Sequence, residues 1–397
     1  MSNATTIEAP SRVGASHGAR RFAIECYDGR ELAAVGWPTV AAEPTLSMHV
    51  YQSREFLSVW MATIGKARRA QCVLFVVKDA DKIPVLYLPL CVETRLGTRF
   101  LRFMDAGVAD FNGPIQVADR HLDRGEFLDV WQQILSRLPR IDVVDLRKMP
   151  GRIGGMVNPL THLACRPHGS SGHAIDLARW REVVATTSSI ARMKKKIHRR
   201  HQKLDAVGTA TFLFNPSGPQ WDHVMDRMFE LKRAKYLETS IPDFLSAPGV
   251  HDFYREIAAP ERLGSVSHLS ALTCGGRVVS AHLGFVARGR FYYVFPAFDT
   301  EYRSFAVGQV LLERLVESCV DDGFATFDLG EGDASYKQDW APQSQPLLSH
   351  ERGLTAVGRM YARLRHARRA LRASGLYEKY LKSGARIAAP HANELAQ

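Results

Sequence analysis

VSHLSALT (266–273), RVVSAHLGFV (277–286) and RFYYVFPAF (290–298), followed by QVLLERLVESCVDDG (309–323) and ATFDLGEGDASYKQDW (325–340), decide how this chain is read. The first three runs are rich in β-branched and aromatic residues, as strands are. Cys274-Gly275-Gly276 and Ala287-Arg288-Gly289 supply the glycines that hairpin turns need for positive φ. A three-stranded meander is the expectation. Val310, Leu311, Leu315 and Cys319 then fall on one face of a helix opened by Gly308, and ATFDLG (325–330) returns as a strand. Two places along this unit suit chemistry. The helix start offers free N–H groups and a positive dipole end, which fit a phosphate or pyrophosphate. The run after the last strand gathers carboxylates, a tyrosine and a lysine.

Working outward, residues 51–66 read as a helix with Phe56, Val59, Trp60 and Thr63 facing inward, followed by strands at 71–78, 83–92 and 99–104. The order of strands, turns and a polar loop ending in glycine is the same here as over 267–308, which points to a weak internal duplication. Residues 150–171 are rich in Gly, Pro and Ser and mark the boundary between the two copies. Beyond them HAIDL is a short strand, Trp180 to Val207 is helical with a break at 186–189, 208–215 is a strand, and 219–236 and 249–259 are helices. A long amphipathic helix is expected over 354–382. The fold class is therefore α/β (α+β), with two tandem modules, each a mixed, mostly antiparallel sheet flanked by helices. The divisions are a flexible N-terminus (1–22), a first module (23–165), a second module holding the donor site (166–345), and a C-terminal basic helix and tail (346–397).

A chain of 397 residues is long enough for two cores. No run of 18 apolar residues exists, so no spanning helix is expected. The first residues lack an apolar core of the signal-peptide kind. Six scattered cysteines without CxxC spacing suggest reduced thiols, a cytoplasmic setting and no metal site. The net charge of +11 is concentrated. Residues 190–203 hold seven Lys/Arg and no acid, and residues 351–386 hold ten against Glu351 and Glu378, so the remainder is mildly acidic. Any polyanionic partner should meet the protein at these segments. In the first, Ile190, Met193, Ile197 and Leu204 form an apolar stripe; in the second, Met360, Leu364, Ala367 and Leu371 lie among arginines. Contact with an anionic membrane surface through 190–203 and 359–382 is one expectation. A solvated charged face for the first, and packing on the first module for the second, are the plainer ones. Nucleic acid lacks any recognisable reading motif here.

The meander, loop, helix and strand resemble the acyl-CoA-binding half of the GNAT acyltransferases. Asp110-Phe111-Asn112-Gly113-Pro114, the AHLGF strand, Gly308 and FDLGEGDASYKQDW carry a finer resemblance to CelD-like acetyltransferases, GNAT-related proteins associated with exopolysaccharide or cellulose synthesis. The tandem arrangement is also similar to that of the Fem-type aminoacyl transferases. GNATs favour a Gln/Arg-x-x-Gly-x-Gly/Ala loop, whereas Arg303-Ser-Phe-Ala-Val-Gly308 keeps only the final glycine. The resemblance implies a cytoplasmic acyltransferase, in reach of the inner membrane face, that moves an acyl group from acetyl-CoA or another acyl-CoA. The acceptor would be an amine or hydroxyl of a saccharide or of a lipid-linked envelope or exopolysaccharide precursor. The alternatives are a Fem-like transferase using aminoacyl-tRNA and a non-catalytic accessory protein of polysaccharide synthesis.

Candidate residues follow. Ser304, Phe305, Ala306, Val307, Gly308 and Gln309 are the expected pyrophosphate contacts, or an ordinary strand-to-helix turn. Asp328, Glu331 and Asp333 are candidate proton acceptors, with loop capping as the rival role for Asp328. Tyr336 and Lys337 match the family's YK pair, and by resemblance to Fem-type enzymes Lys337 would hold a phosphate or the thioester carbonyl; a surface lysine is the plain alternative. His282 is a candidate base within an apolar strand, where a satisfied core histidine is the commoner outcome. Asp110, Asn112, Asp299 and Glu331 are candidate substrate contacts, and Asp110 and Asn112 also suit a turn before Pro114.

Overall fold

A computed structural model describes residues 22–373 apart from 30, 33, 34, 42–44, 119 and 121. All but the last residue of the expected N-terminal lead-in, and the helix and tail expected beyond 373, lie outside the described residues. The first half comprises β1 (Ala23–Asp28), β2 (Leu46–Ser47), α1 (Arg54–Trp60), α2 (Lys66–Arg68), β3 (Gln71–Lys78), β4 (Pro84–Arg95), β5 (Thr98–Arg102), β6 (Ile115–Val117), α3 (Arg124–Arg137) and β7 (Val143–Pro150). A small hairpin, β8 (Arg152–Ile153) and β9 (Met156–Val157), leads to the long strand β10 (Cys165–Asp176). The second half comprises α4 (Trp180–Thr186), α5 (Ser188–Val207), β11 (Ala210–Phe214), α6 (Pro219–Thr239), α7 (Val250–Ile257), β12 (Ser267–Cys274), β13 (Arg277–Ala287), β14 (Arg290–Phe298), α8 (Val307–Asp321), β15 (Thr326–Glu331) and α9 (Ser335–Trp340). Strand β16 (Ser344–Gly353) and helix α10 (Ala356–Ala373) close the described chain.

The expected duplication is visible in the strand pairing. β3, β4 and β5 form an antiparallel meander and β7 lies parallel to β5; β12, β13 and β14 do the same with β15 parallel to β14. Each parallel pair follows a helical crossover, as parallel strands require. Both pairs are short. β5 and β7 register only at Phe100↔Val143 and Leu101↔Val144, and β14 and β15 only from Arg290↔Thr326 to Tyr292↔Asp328. Past those points the strands part.

The strands that follow the two parallel strands are exchanged between halves. β10, next after the first half, pairs antiparallel with β15 of the second, while β16 pairs antiparallel with β7 of the first and with β10. The halves thus become one sheet of fourteen strands running β7-β16-β10-β15 through its middle. HAIDL is therefore the end of a twelve-residue strand that begins inside the Gly/Pro-rich stretch. Two register shifts in β10, between Pro167 and Ser171 and between His173 and Ala174, let glycine-bearing sequence stay in the sheet.

Local chemistry explains the flanking helices. Asp123 and Glu126 form a reciprocal capping box on α3. α1 passes through a π-helical turn, Met61–Gly65, before α2. Ile64 in that turn is fully buried, while Thr63 is half-buried with its hydroxyl donating to the Val59 carbonyl at 2.6 Å. One core lies beneath the seam, where Tyr51 makes edge contacts with Phe56, Phe285 and Tyr292 at 5.4–6.0 Å. Aromatic pairs of this geometry contribute about 0.5–1.5 kcal/mol each beyond area burial. α5 buries Ile190, Ile197 and Leu204, and Lys194 of the same helix pairs with Glu317 of α8 at 2.8 Å. Its stripe is therefore covered by packing. On α10 the stripe of Met360, Leu364 and Leu371 is exposed, because Tyr361 faces inward against Phe100.

Candidate functional site

Four irregular backbone segments meet at the seam and enclose a cavity of about 1000 Å³. The first is the loop 105–113. Asp105 accepts the Gly107 and Ala109 amides at 2.9 and 3.1 Å, and the Asn112 side chain donates to Asp105 and to the Arg147 carbonyl. Asp110, only 4 % exposed, accepts the Tyr51 hydroxyl at 3.1 Å.

The second segment is the bulge in β7. Across the register shift with β16, Lys148 takes a left-handed backbone (φ 57) and its carbonyl accepts the Asn112 amide. A non-glycine residue rarely holds such a conformation, and where it does the surroundings must enforce it. Here the result is a lysine turned into the cavity, 3.0 Å from Glu331 and 2.8 Å from the Ala109 carbonyl.

The third is the excursion His168-Gly169-Ser170 in β10. His168 Nε2 lies 3.1 Å from Glu331 Oε1, and the Ser170 hydroxyl donates to the same oxygen at 2.7 Å. The fourth is the end of β15 with α9. Gly330 has φ +75, and a Cβ there would collide with the Asp110 carboxylate, so glycine is required twice over. Lys337, 1 % exposed, donates its ammonium to the Glu331 carbonyl.

The carboxylates differ in charge state and in freedom. Burial would raise the Glu331 carboxyl, but Lys148, His168 and Ser170 together hold it well below the ordinary range. It is ionised and anchored. Asp328 is pushed upward by burial, against which Arg290 and the Gly330 amide act, and both donate to it at 2.7 and 2.8 Å. That is the loop-capping arrangement. Asp110 is raised to about 6, first by burial and then by the nearby Glu331 and Asp328, with Lys337 and Lys148 opposing. Lys337 is lowered by burial although Asp110, Asp328 and Glu331 surround it. Asp110 thus titrates near neutrality at the edge of a cavity, which is what a proton acceptor needs.

The residues read from the sequence are only partly brought together. Asp110, Asn112 and Glu331 line the cavity, with Asp333, while Asp328 and Lys337 stand behind Asp110 and Glu331. Tyr336 is buried against the second-half core. Asp299 lies elsewhere: it caps the turn after β14 and is paired with Arg227 and Arg277 at 2.8 and 2.6 Å. His282 is fully buried, with its ring stacked on Tyr293 at 4.2 Å. Its Nε2 accepts the Val294 amide that the bulge between β13 and β14 leaves outside the ladder, so it acts as a backbone acceptor. Burial depresses its basicity well below the ordinary value.

Ser304 and Phe305 end a 3-10 turn (Thr300–Phe305), Ala306 caps α8 and Val307 to Gln309 begin it, and none of them lines the cavity. Ala306, at the position where the resemblance expected the first loop glycine, has φ 50, the left-handed conformation a glycine would supply. Gly308 is half-buried with room beside Phe298, while the Ala306, Gln309 and Val310 amides are already bonded within the turn. Trp340 of α9 is joined to the first turn of α8: its indole donates to Gln309 Oε1 at 2.9 Å and its ring stacks on Trp180. Lys148, His168 and Ser170 were missed in the sequence. Lys148 sits in a strand-like run and the other two in a linker-like one; only the Gly-Ser excursion and the glycines around it hinted at irregular backbone.

Residues 191–338 match the family model described as acetyltransferase (GNAT) domain, a span that runs from α5 to α9. No curated protein matches the sequence. Among solved structures, FemX is similar at 11 % identity and a TM-score of 0.52, over 79 % of this chain and 92 % of that one. The C-terminal domain of a putative lysylphosphatidylglycerol synthetase from Agrobacterium fabrum is similar at 11 % identity and 0.49, over 78 % and 93 %. A tandem GNAT protein from the clavulanic acid biosynthesis pathway is similar at 12 % identity and 0.45, over 84 % and 100 %. The fold is a pair of tandem GNAT-like modules, and the second carries the GNAT acetyltransferase match.

Proposed function

We propose that the protein is an acyltransferase that moves an acyl group, acetyl in the simplest case, from acyl-CoA to an amine or hydroxyl at the seam cavity. The acceptor is a saccharide or an exopolysaccharide precursor, the role suggested by the CelD-like motifs. The observation that carries this is the parting of β14 and β15 after three paired residues, between the α8 start and the cluster of Asp110, Glu331 and Lys337.

An alkylamine with a pKa near ~10.4 is neutral only about once in 2,500 molecules at pH 7, so removing its proton is the larger electrostatic problem. Asp110 takes a proton from a hydroxyl as its oxygen attacks the thioester carbonyl, or from an ammonium before the freed lone pair attacks, the second N–H proton then passing to water as the intermediate collapses. The carbon–sulfur bond then breaks and the thiolate, with a pKa of ~8.5, leaves and is reprotonated from water. Lys148, which lines the cavity, supplies positive charge beside the developing oxyanion, and Lys337 adds to it from behind the cavity lining. Donors placed at an oxyanion contribute about 3–4 kcal/mol each in comparable enzymes.

The test is CoA release by the full chain from short acyl-CoAs with a panel of amino sugars, alongside calorimetry with each donor. Saturable donor binding and acceptor-dependent release are expected; no binding at millimolar donor would overturn the reading. The alternative is a Fem-like transfer from aminoacyl-tRNA; copurifying RNA without CoA affinity would select it. Among the described residues no helix is long and apolar enough to cross a membrane. The exposed Met360, Leu364 and Leu371 on basic α10 support peripheral contact with an anionic membrane surface, with the rest of the chain in the cytoplasm.

A further inference from the structure

One part of the cavity lining is built from arginines that outnumber their carboxylates. Asp145 on β7 accepts Arg147 through two parallel bonds at 2.8 and 2.7 Å, Arg365 at 3.1 Å, and is 3.3 Å from Arg102. Glu351 on β16 accepts Arg369 at 3.0 and 3.2 Å and lies 3.2 Å from Arg365 and 3.9 Å from Arg166. Arg102 also donates to Glu93 at 2.8 Å, which Arg95 and Arg68 approach to 3.2 and 3.7 Å, so seven guanidiniums share three almost fully buried carboxylates. Arg166 stands outside the cavity lining, and its buried Nε has no hydrogen-bond partner. Burial, with Arg369 and Arg365 beside it, also depresses the basicity of Arg166.

Uncompensated like charge in a partly buried wall is costly unless an anion completes it. The arginines are held ready for one. Arg102 lies over the Phe100 ring at 4.4 Å and Arg365 over Tyr361 at 5.8 Å, and the two rings meet edge to face. Planar guanidiniums fixed in this way suit the oxygens of a phosphate. The wall is also joined to the reacting cluster by a single peptide bond, since Arg147 belongs to it and Lys148 faces Glu331.

We propose that this wall binds the phosphate or diphosphate of a phosphorylated acceptor, so that the molecule acylated is anionic and is recognised in part by α10, a helix outside both modules. The proposal builds on the acceptor role given to the cavity. It sets the orientation: phosphate against Arg102, Arg147, Arg365 and Arg369, and the nucleophile toward Asp110.

Titration of the full-length protein with inorganic pyrophosphate tests it. Binding that weakens with added salt is expected, and the double variant Arg365→Gln/Arg369→Gln should bind at least about tenfold more weakly, the loss of charge-assisted hydrogen bonds. Coenzyme A binding should be unchanged in that variant and should not compete with pyrophosphate. Absent binding, equal binding by the double variant, or competition by coenzyme A, which would assign the anion to the donor, each overturns the proposal. Arg369→Gln alone, at the more exposed end of the helix, gives the same readout if the double variant does not fold. Acylation of neutral amino sugars with no pyrophosphate site sinks the wall and leaves the acyltransferase; a pyrophosphate site without any CoA release does the reverse.

Discussion

Lys148 Nζ stands 3.0 Å from Glu331 Oε2, so a lysine on the last parallel strand of one half neutralises a carboxylate at the end of its counterpart in the other. The contact closes the seam at the point where both β5/β7 and β14/β15 have ceased to pair. It also fixes the loop that carries Gly330 against Asp110.

Replacing one partner of a buried pair strands the other, at a typical cost of about 3–5 kcal/mol. Lys148→Met is expected to lose stability of that order in urea unfolding at pH 7. Because the Glu331 carboxyl is held below its ordinary value, its stabilising share is present above the unfolded value of 4.5 and is lost as pH falls below it. The variant should therefore lose less stability than the native protein on going from pH 7 to pH 4.

Asp110 has the opposite sign. Its carboxyl is raised from 3.8 to about 6, so the favourable contribution is present below the unfolded value and is lost as pH rises through the folded one. The displacement corresponds to about 3 kcal/mol forgone at pH 8. Asp110→Asn should melt no lower than the native protein at pH 8, a site where activity costs stability.

Gly330→Ala forces a side chain into positive φ and into the Asp110 carboxylate. A loss of about 1–3 kcal/mol is expected from the backbone alone. Turnover should fall further than the remaining folded fraction explains, which parallel activity and circular-dichroism measurements on the same samples would show.

If acyl-CoA docks at the start of α8, the Trp340 indole competes with it for Gln309, to which it donates at 2.9 Å. Trp340→Phe keeps a ring against Trp180 but removes the donor, and releasing one hydrogen bond of about 0.5–1.5 kcal/mol should tighten acetyl-CoA binding up to about tenfold. Weaker binding in calorimetry would mean that the indole itself holds the donor.

Much of the fold was legible because strands β12 to β15 and helix α8 are specified locally, by β-branched runs, glycine turns and a 3.6-residue apolar period. The duplication could be read for the same reason. What escaped was long-range. The exchange of β10 and β16 joins residues 165–176 to 326–331 and 344–353, a pairing with no local signal. The site shared this division: Asp110, Asn112, Glu331 and Lys337 stood in recognisable motifs, whereas Lys148 and His168 reach Glu331 only through bulges created by that exchange. Asp299 and His282 had polar side chains in the right neighbourhood of sequence, but both are consumed by backbone capping and ion pairing.

The most direct test of a reaction centre at the seam is the pH dependence of CoA release from acetyl-CoA, compared between the native protein and Asp110→Asn with the same acceptor. The native rate should rise with pH through about 6 and level off. The variant should lie about 10²–10⁴-fold lower, the usual contribution of a positioned base, and lack that rise. Equal rates and the same profile in both proteins would remove Asp110, and the seam cavity with it, from the chemistry.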